Sequence, residues 1–219
     1  MPLNRSFNLT KNLKSFIDYV RSNLWETKEA TNLGKGEKPS PAPRIIKQQT
    51  LLDFASRYNL DVLVETGTYL GETVEAMKHS FKKIYSIELS KDLHEKARKR
   101  FSKDENIILL QGDSGIELEK VIPLLNGPAL FWLDGHYSGG ITAQGRKDTP
   151  VVEELQHILN DKRYDHVIII DDARCFGVDP GYPSIDEISA FIRTLSPDAE
   201  IKVESDSLRI VPAKIRSHD

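Results

Sequence analysis

Acidic residues follow short apolar segments at five places along the chain, which is the placement expected of ligand-binding groups. In a doubly wound sheet, ligands bind beyond the carboxyl ends of the parallel strands. A carboxylate at that edge can accept hydrogen bonds from hydroxyl groups or coordinate a cation. Helix capping would explain one such acid, but acids after five strands favour a functional edge. The acids are Glu65, Glu88, Asp113, Asp134, Asp171 and Asp172.

The first of these acids begins a glycine-containing turn that spans residues 65–71. Gly67 permits a sharp turn and a close approach of a ligand to the backbone, and Gly71 permits close packing of the helix that follows. Thr68 lies between the two glycines. Thr73 stands at the start of the helix, where free backbone amides can bind a carboxylate or a phosphate. The segment therefore predicts a nucleoside-binding strand–turn–helix.

Two glutamates indicate which cofactor this turn would bind. Glu88 follows Glu65 by 23 residues, close to the spacing at which an acid accepts hydrogen bonds from a ribose diol. An acid within the turn would repel a pyrophosphate, because like charges repel at short range. The same acid suits the ammonium and sulfonium groups of S-adenosylmethionine. The two glutamates therefore favour S-adenosylmethionine over a nicotinamide dinucleotide.

Strand-like and helix-like segments alternate from Asp61 onward, and the strand-like ones are apolar on both faces. Such runs, each separated by a helix, predict parallel strands covered on two sides. They are residues 61–65, 83–88, 107–113, 129–134 and 166–171. The alternating segments 200–205 and 207–212, one residue apart, predict a β-hairpin. We therefore expect a Rossmann-like, doubly wound α/β fold with a mostly parallel seven-stranded sheet and a C-terminal antiparallel hairpin.

The residues before this domain differ in composition. Residues 9–25 have apolar side chains at helical spacing, and residues 31–44 contain the glycines and prolines that are typical of a linker. We expect N-terminal helices and this linker over residues 1–60. A single domain that binds S-adenosylmethionine is expected over residues 61–219.

Three segments resemble the cofactor-binding motifs of class I S-adenosylmethionine-dependent methyltransferases. These segments are residues 64–71, 87–88 and 111–114. The first differs from the common three-glycine form, with Leu70 where a further glycine often stands. In the third motif the acid or its neighbour, here Asp113 or Ser114, usually meets the adenine. The expected cofactor-binding residues are Glu65, Gly67, Thr68, Gly71, Thr73, Glu88, Asp113, Ser114 and Asp134.

A second group of candidate metal-binding and catalytic residues follows the fourth and fifth strands. Asp134 and His136 follow one strand, and Asp171 and Asp172 follow the next. Clustered carboxylates repel one another unless they are protonated or bridged by a cation. A set of oxygen ligands suits Mg²⁺ or Mn²⁺. The pattern resembles metal-dependent O-methyltransferases of the catechol and macrocin types, in which the ion orients the acceptor hydroxyl and lowers its pKa.

This resemblance implies that Asp134, Asp171 and Asp172 hold the metal. His136 is then the candidate general base, because a neutral imidazole beside the ion can accept the hydroxyl proton. The expected catalytic residues are therefore Asp134 and His136. Alternatively, no metal is present, Asp172 caps a turn, and His136 binds a backbone carbonyl. The implied function is a methyltransferase that methylates an oxygen of a small molecule, such as a sugar hydroxyl. The rival functions are a nicotinamide-dependent oxidoreductase and a non-catalytic Rossmann-like binding module.

The amino-acid composition indicates which binding partners and which cellular compartment to expect. A formal net charge of -3 gives no electrostatic footprint for nucleic acid. No apolar run approaches the roughly 20 residues of a membrane-spanning helix, and residues 1–10 lack the apolar core of a secretory signal. The single cysteine, Cys175, excludes an internal disulfide and favours the cytoplasm. Helices before the main domain often form dimer contacts in such enzymes, so we expect a homodimer.

Overall fold

The computed structural model describes residues 41–135, 149–179 and 181–216. The helices are α1 (Arg44–Arg57), α2 (Glu72–Met77), α3 (Lys91–Arg100), α4 (Ser114–Val121), α5 (Val151–Asn160), α6 (Ile185–Leu195) and α7 (Ala213–Arg216). The strands are β1 (Val62–Thr66), β2 (Lys83–Glu88), β3 (Ile107–Gln111), β4 (Leu130–Leu133), β5 (Val167–Ile170), β6 (Glu200–Glu204) and β7 (Ser207–Val211). The predicted helix at residues 9–25 and the general-base candidate His136 lie outside the described residues.

The strands form one seven-stranded sheet in the order β3-β2-β1-β4-β5-β7-β6. Strands β1 to β5 are parallel, and β7 is antiparallel to both of its neighbours, β5 and β6. The predicted mostly parallel sheet with a terminal antiparallel hairpin is therefore confirmed. The dinucleotide-binding Rossmann order is 3-2-1-4-5-6. The strand inserted between β5 and β6 separates this sheet from that pattern.

Apolar side chains cover both faces of the sheet, because successive residues of a strand point to opposite sides. On one face Val64, Phe131 and Ile168 pack with α4, α5 and α6. On the other face Leu63 and Trp132 pack with α1, α2 and α3. The two layers explain why the parallel strands read as continuous apolar runs. No helix among the described residues has the length and apolar content to span a membrane.

The C-terminal hairpin closes through a two-residue turn, Ser205-Asp206. The sequence had predicted strands separated by Asp206 alone. Both turn residues have positive φ, 49° and 59°, as a type I′ turn requires to match the twist of the strands. The Asp206 carbonyl accepts a hydrogen bond from the Ala173 N–H at 2.8 Å. The hairpin turn therefore contacts the loop that follows β5.

Candidate functional site

The sheet register brings the ends of β1, β4 and β5 together. Thr66 pairs with Leu133, and Leu133 pairs with Ile170. The residues that follow these three positions are Gly67, Asp134 and Asp171, so they emerge side by side at the carboxyl edge. Backbone hydrogen bonds continue one step beyond the strands, from the Asp134 N–H to the Thr66 carbonyl at 3.1 Å and from the Asp171 N–H to the Leu133 carbonyl at 3.0 Å.

The turn after β1 needs glycine at both predicted positions. Gly67 has φ +85°, and a Cβ atom there would lie 2.4 Å from the carbonyl oxygen of Asp134. Gly71 has φ +73°, and a Cβ atom there would lie 2.6 Å from the ring of Phe101. The left-handed conformation and the close approach both exclude a larger side chain. Gly67 therefore fixes the turn directly against the end of β4.

Glu88 holds this turn at the end of β2. Its carboxylate accepts hydrogen bonds from the backbone N–H groups of Tyr69 at 2.7 Å and Ser90 at 2.8 Å. Each carboxylate oxygen can accept a further hydrogen bond. The side chain is thus fixed in orientation and retains the capacity to accept bonds from two hydroxyl groups.

Glu65 lies beneath the turn and is 1% exposed. The Ser86 hydroxyl donates to its carboxylate at 2.5 Å and accepts from the Thr68 hydroxyl at 2.6 Å. Burial raises the pKa of Glu65 to about 8, although hydrogen bonds from Ser86 and Thr73 oppose the shift. The Ser86 hydroxyl therefore links the Glu65 carboxyl group to Thr68 in the turn.

A pocket lies between α1 and the carboxyl ends of β1 and β4. The turn after β1, the start of α2 and the end of β4 form one side, and the first turns of α1 form the other. The predicted cofactor residues that line it are Gly67, Thr68, Thr73 and Asp134. Residues outside the predicted cofactor-binding set also line it, and they are Ala42, Arg44, Lys47, Gln48, Leu51, Tyr69, Leu70, Glu72 and Trp132.

Asp113 and Ser114 begin α4, as the third motif predicts. The Asp113 carboxylate accepts a hydrogen bond from the Gly115 N–H at 3.0 Å and is the N-cap of the helix. Ser114 is buried. Asp113 therefore has the capping role that the sequence left open, and contact of either residue with an adenine remains a prediction.

The acids after β4 and β5 form a cluster. One oxygen each from Asp134, Asp171 and Asp172 lies within 4.8 Å of the others. Asp171 is 2% exposed, and its Oδ1 has no hydrogen-bond partner among the described residues. Asp172 has φ +56°, an uncommon conformation for a residue other than glycine that is often found at functional sites. It precedes the short 3₁₀ helix Ala173–Cys175, to which its side chain makes no capping hydrogen bond.

Two cations face this cluster. Lys47 on α1 forms an ion pair with Asp171 and lies 3.6 Å from Asp172 Oδ1. Arg174 Nη1 donates to Asp172 Oδ1 at 2.5 Å and also pairs with the carboxylate of Asp206. When ionised, the three clustered acids and Asp206 carry four negative charges against two positive ones. The cluster can therefore accept a divalent cation without an excess of positive charge.

Burial and the closeness of the charged groups explain the pKa shifts in this cluster. Burial, and then repulsion from Asp172, raise the pKa of Asp171, although Lys47 opposes the shift. Burial acts to lower the pKa of Lys47, but attraction to the surrounding acids outweighs it and the net shift is upward. The pKa of Arg174 is also raised, because Asp172 and Asp206 outweigh the effect of burial. Both cations therefore remain charged.

Sequence reasoning missed Lys47 and Asp206. Lys47 is spaced four and seven residues before Leu51 and Phe54, which are both buried on α1, so it extends the buried face of that helix. A lysine at such a position is a usable signal, because an isolated charge is rarely buried. Asp206 gave no comparable signal, since its partners Arg174 and Ala42 are distant in sequence.

We expect Gly67→Ala to disrupt the turn after β1, which we call the cofactor turn because it is predicted to bind the cofactor. The added methyl group meets a backbone carbonyl, and the left-handed conformation costs about 1–3 kcal/mol for a non-glycine residue. Calorimetric titration with S-adenosylhomocysteine should show at least a tenfold loss of affinity. Gly127→Ala is the matched control, because a Cβ atom there meets nothing within 4 Å. Equal affinities for the two variants would contradict the assignment of this turn.

Glu65 should make the free energy of unfolding depend on pH. Its pKa rises from 4.5 to about 8 on folding, so the folded chain binds the proton more tightly. The resulting stabilisation is complete below the unfolded pKa and is lost as the pH rises through the folded pKa. Glu65→Gln cannot ionise. In urea denaturation its free energy of unfolding, relative to the natural protein, should therefore increase between about pH 5 and pH 9.

The exposed Glu105 provides the control for this measurement. Glu105→Gln should show no comparable trend relative to the natural protein. A difference between Glu65→Gln and the natural protein that stays constant over the same pH range would show that Glu65 ionises normally.

Solved methyltransferase structures share this fold, although no family model and no curated protein matches the sequence. The O-methyltransferase TomG from Streptomyces achromogenes, in complex with S-adenosylmethionine, has a TM-score of 0.56 at 17% identity, covering 80% of this chain and 83% of that chain. The O-methyltransferase from Bacillus cereus has a TM-score of 0.55 at 16% identity, with coverages of 87% and 89%.

The methyltransferase PaMTH1 from Podospora anserina, bound to S-adenosylhomocysteine, has a TM-score of 0.53 at 15% identity, covering 96% of this chain and 99% of that chain. The similarity at these identities is one of fold. This chain therefore has the Rossmann-like fold of the class I S-adenosylmethionine-dependent methyltransferases.

Proposed function

We propose that this protein is an S-adenosylmethionine-dependent methyltransferase. The proposed reaction transfers the methyl group to an oxygen of a small molecule, with the assistance of Mg²⁺ or Mn²⁺. The observation that carries the proposal is the position of Asp134. Its backbone lies against Gly67 in the cofactor turn, and its side chain belongs to the acid cluster. A methyl donor in the turn and an acceptor at the acids would therefore be neighbours.

The residues of the turn have the chemistry to bind the donor. Glu88 would accept hydrogen bonds from the ribose hydroxyls with the oxygen capacity that its two backbone contacts leave. The amino and sulfonium groups are cationic, so their binding would favour the ionised form of Glu65, which is hydrogen-bonded to Thr73 and, through Ser86, to Thr68. Asp113 or Ser114 would meet the adenine, as the third motif implies. Fixed groups of this kind hold the reactants in line for transfer.

A divalent ion fits the acid cluster. The buried Asp171 Oδ1 has no partner among the described residues, and a carboxylate oxygen is a ligand that Mg²⁺ and Mn²⁺ prefer. Asp134, Asp171 and Asp172 would hold the ion. When bound, it would orient the acceptor hydroxyl and lower its pKa. His136, two residues beyond Asp134, is our candidate for the group that removes the hydroxyl proton.

The proposal extends to the acceptor and the cellular setting. TomG and the Bacillus cereus protein are O-methyltransferases, which supports oxygen as the methylated atom. A sugar hydroxyl is our preferred acceptor because of the macrocin-type sequence pattern. We propose a cytoplasmic location because the chain has a single cysteine, and a homodimer because helices before the main domain often form dimer contacts in such enzymes.

Substitutions in the acid cluster test the proposed mechanism. Asp134→Asn and Asp171→Asn each remove one negative charge with little change of shape. We expect either change to weaken Mn²⁺ binding at least tenfold and to lower the methylation rate of a hydroxyl acceptor by on the order of 100-fold or more. Calorimetry with S-adenosylhomocysteine should show that Asp171→Asn retains cofactor affinity, because that acid is not one of the proposed cofactor-binding residues.

The exposed Asp92 on α3 provides the control, and Asp92→Asn should behave as the natural protein does. Unchanged Mn²⁺ binding and turnover in both cluster variants would exclude the metal mechanism. Tight binding of NAD⁺ without binding of S-adenosylhomocysteine would instead support the oxidoreductase. Cofactor binding without methylation of any hydroxyl acceptor would support the non-catalytic module.

A further inference from the structure

Lys47 is shared by the acid cluster and the cofactor pocket. Its ammonium group pairs with Asp171 and lies 3.6 Å from Asp172, and attraction to Asp134 also acts on it. The same residue lines the pocket together with Gly67 and Thr68. Its side chain is 23% exposed, so it is held mainly by these acids. Lys47 therefore occupies the boundary between the two halves of the proposed site.

The ammonium group of Lys47 and a divalent ion at the acid cluster would repel one another, because both are positively charged. At an effective dielectric constant of about 20, charges of like sign a few ångströms apart repel by several kcal/mol, which lowers affinity more than 100-fold. A contact that merely orients a ligating carboxylate contributes about 10- to 100-fold. Repulsion therefore outweighs any orienting effect of Lys47 on Asp171. Lys47 pairs with Oδ2 of Asp171, so an ion that is coordinated by this oxygen requires the ammonium group to move away.

The cofactor pocket offers Lys47 a second partner. Lysine carries its charge on a flexible four-carbon stem with freely rotating donors. The methionyl part of the proposed cofactor carries a carboxylate, and the first turn of α1, where Lys47 lies, forms one wall of the pocket. A cofactor bound with this carboxylate toward α1 would present a negative charge to Lys47.

We propose that Lys47 is an exchangeable counter-cation that occupies the acid cluster until the cofactor and the divalent ion bind. The inference depends on the proposed function. The ion displaces the ammonium group from Asp171, and the cofactor carboxylate receives it. Each ligand thereby removes a competitor of the other, so their binding is mutually reinforcing, and the coupling is reciprocal by thermodynamic necessity. Lys47 acts here as a positioning residue and takes no part in methyl transfer.

The experiment measures Mn²⁺ affinity from the loss of the free-ion electron paramagnetic resonance signal, with and without S-adenosylhomocysteine. The proteins are the natural chain, Lys47→Met and the control Lys82→Met, whose lysine is 79% exposed and pairs with Asp61 at the surface. Without cofactor, Lys47→Met should bind Mn²⁺ at least tenfold more tightly than the natural protein. S-adenosylhomocysteine should tighten Mn²⁺ binding at least fivefold in the natural protein and in Lys82→Met, but less than twofold in Lys47→Met.

The exchange would be overturned if Lys47→Met bound Mn²⁺ no more tightly than the natural protein does. It would also be overturned if S-adenosylhomocysteine tightened Mn²⁺ binding by Lys47→Met as much as it does in the natural protein. Either result would leave the proposed function intact if the natural protein binds both ligands. Failure of both the natural protein and Lys47→Met to bind Mn²⁺ would overturn the metal-assisted mechanism together with this inference. Thermal melting verifies that each variant is folded. Lys47→Gln, which keeps a hydrogen-bond donor but no charge, replaces Lys47→Met if the latter does not fold.

Discussion

The parallel register of β1, β4 and β5 is the constraint on which the whole site depends. It places Gly67, Asp134 and Asp171 in one row at the carboxyl edge. A shift of one residue would turn every side chain of a strand to the opposite face, and the buried apolar layers on both faces oppose such a shift. The packing of the core therefore determines that the cofactor turn and the acid cluster are neighbours.

Several acids at a buried edge repel one another, and cations on peripheral elements offset this repulsion. Lys47 arrives on α1, which precedes the sheet in the chain, and Arg174 follows β5. Asp206, in the hairpin turn, accepts hydrogen bonds from the backbone N–H groups of Arg174 and Ala42. The first helix and the last hairpin therefore stabilise the cluster from both sides. The negative charge that remains is what makes a divalent ion a reasonable ligand.

The sequence predicts the sheet and its acidic edge because both depend on local patterns. Apolar runs, glycines and strand-end acids are visible in single segments, and the parallel arrangement of β1 to β5 follows from their alternation with helices. The ion pairs of Lys47 and Asp206 depend on contacts between distant segments, which no local pattern encodes. Asp113 shows a different limit, since a cap and a ligand-binding acid have the same position in sequence. The hairpin turn lacks glycine, so its two-residue length was not apparent.

The most direct measurement is a crystal structure of the protein with S-adenosylhomocysteine and Mn²⁺, with the ion located by its anomalous scattering. We expect the cofactor between the Gly67 turn and Glu88, and one anomalous peak coordinated by Asp134, Asp171 and Asp172. A cofactor bound elsewhere would contradict the proposed methyltransferase site. An acid cluster without the peak, with Lys47 still paired to Asp171 in the presence of the cofactor and excess Mn²⁺, would contradict the proposed role of the metal.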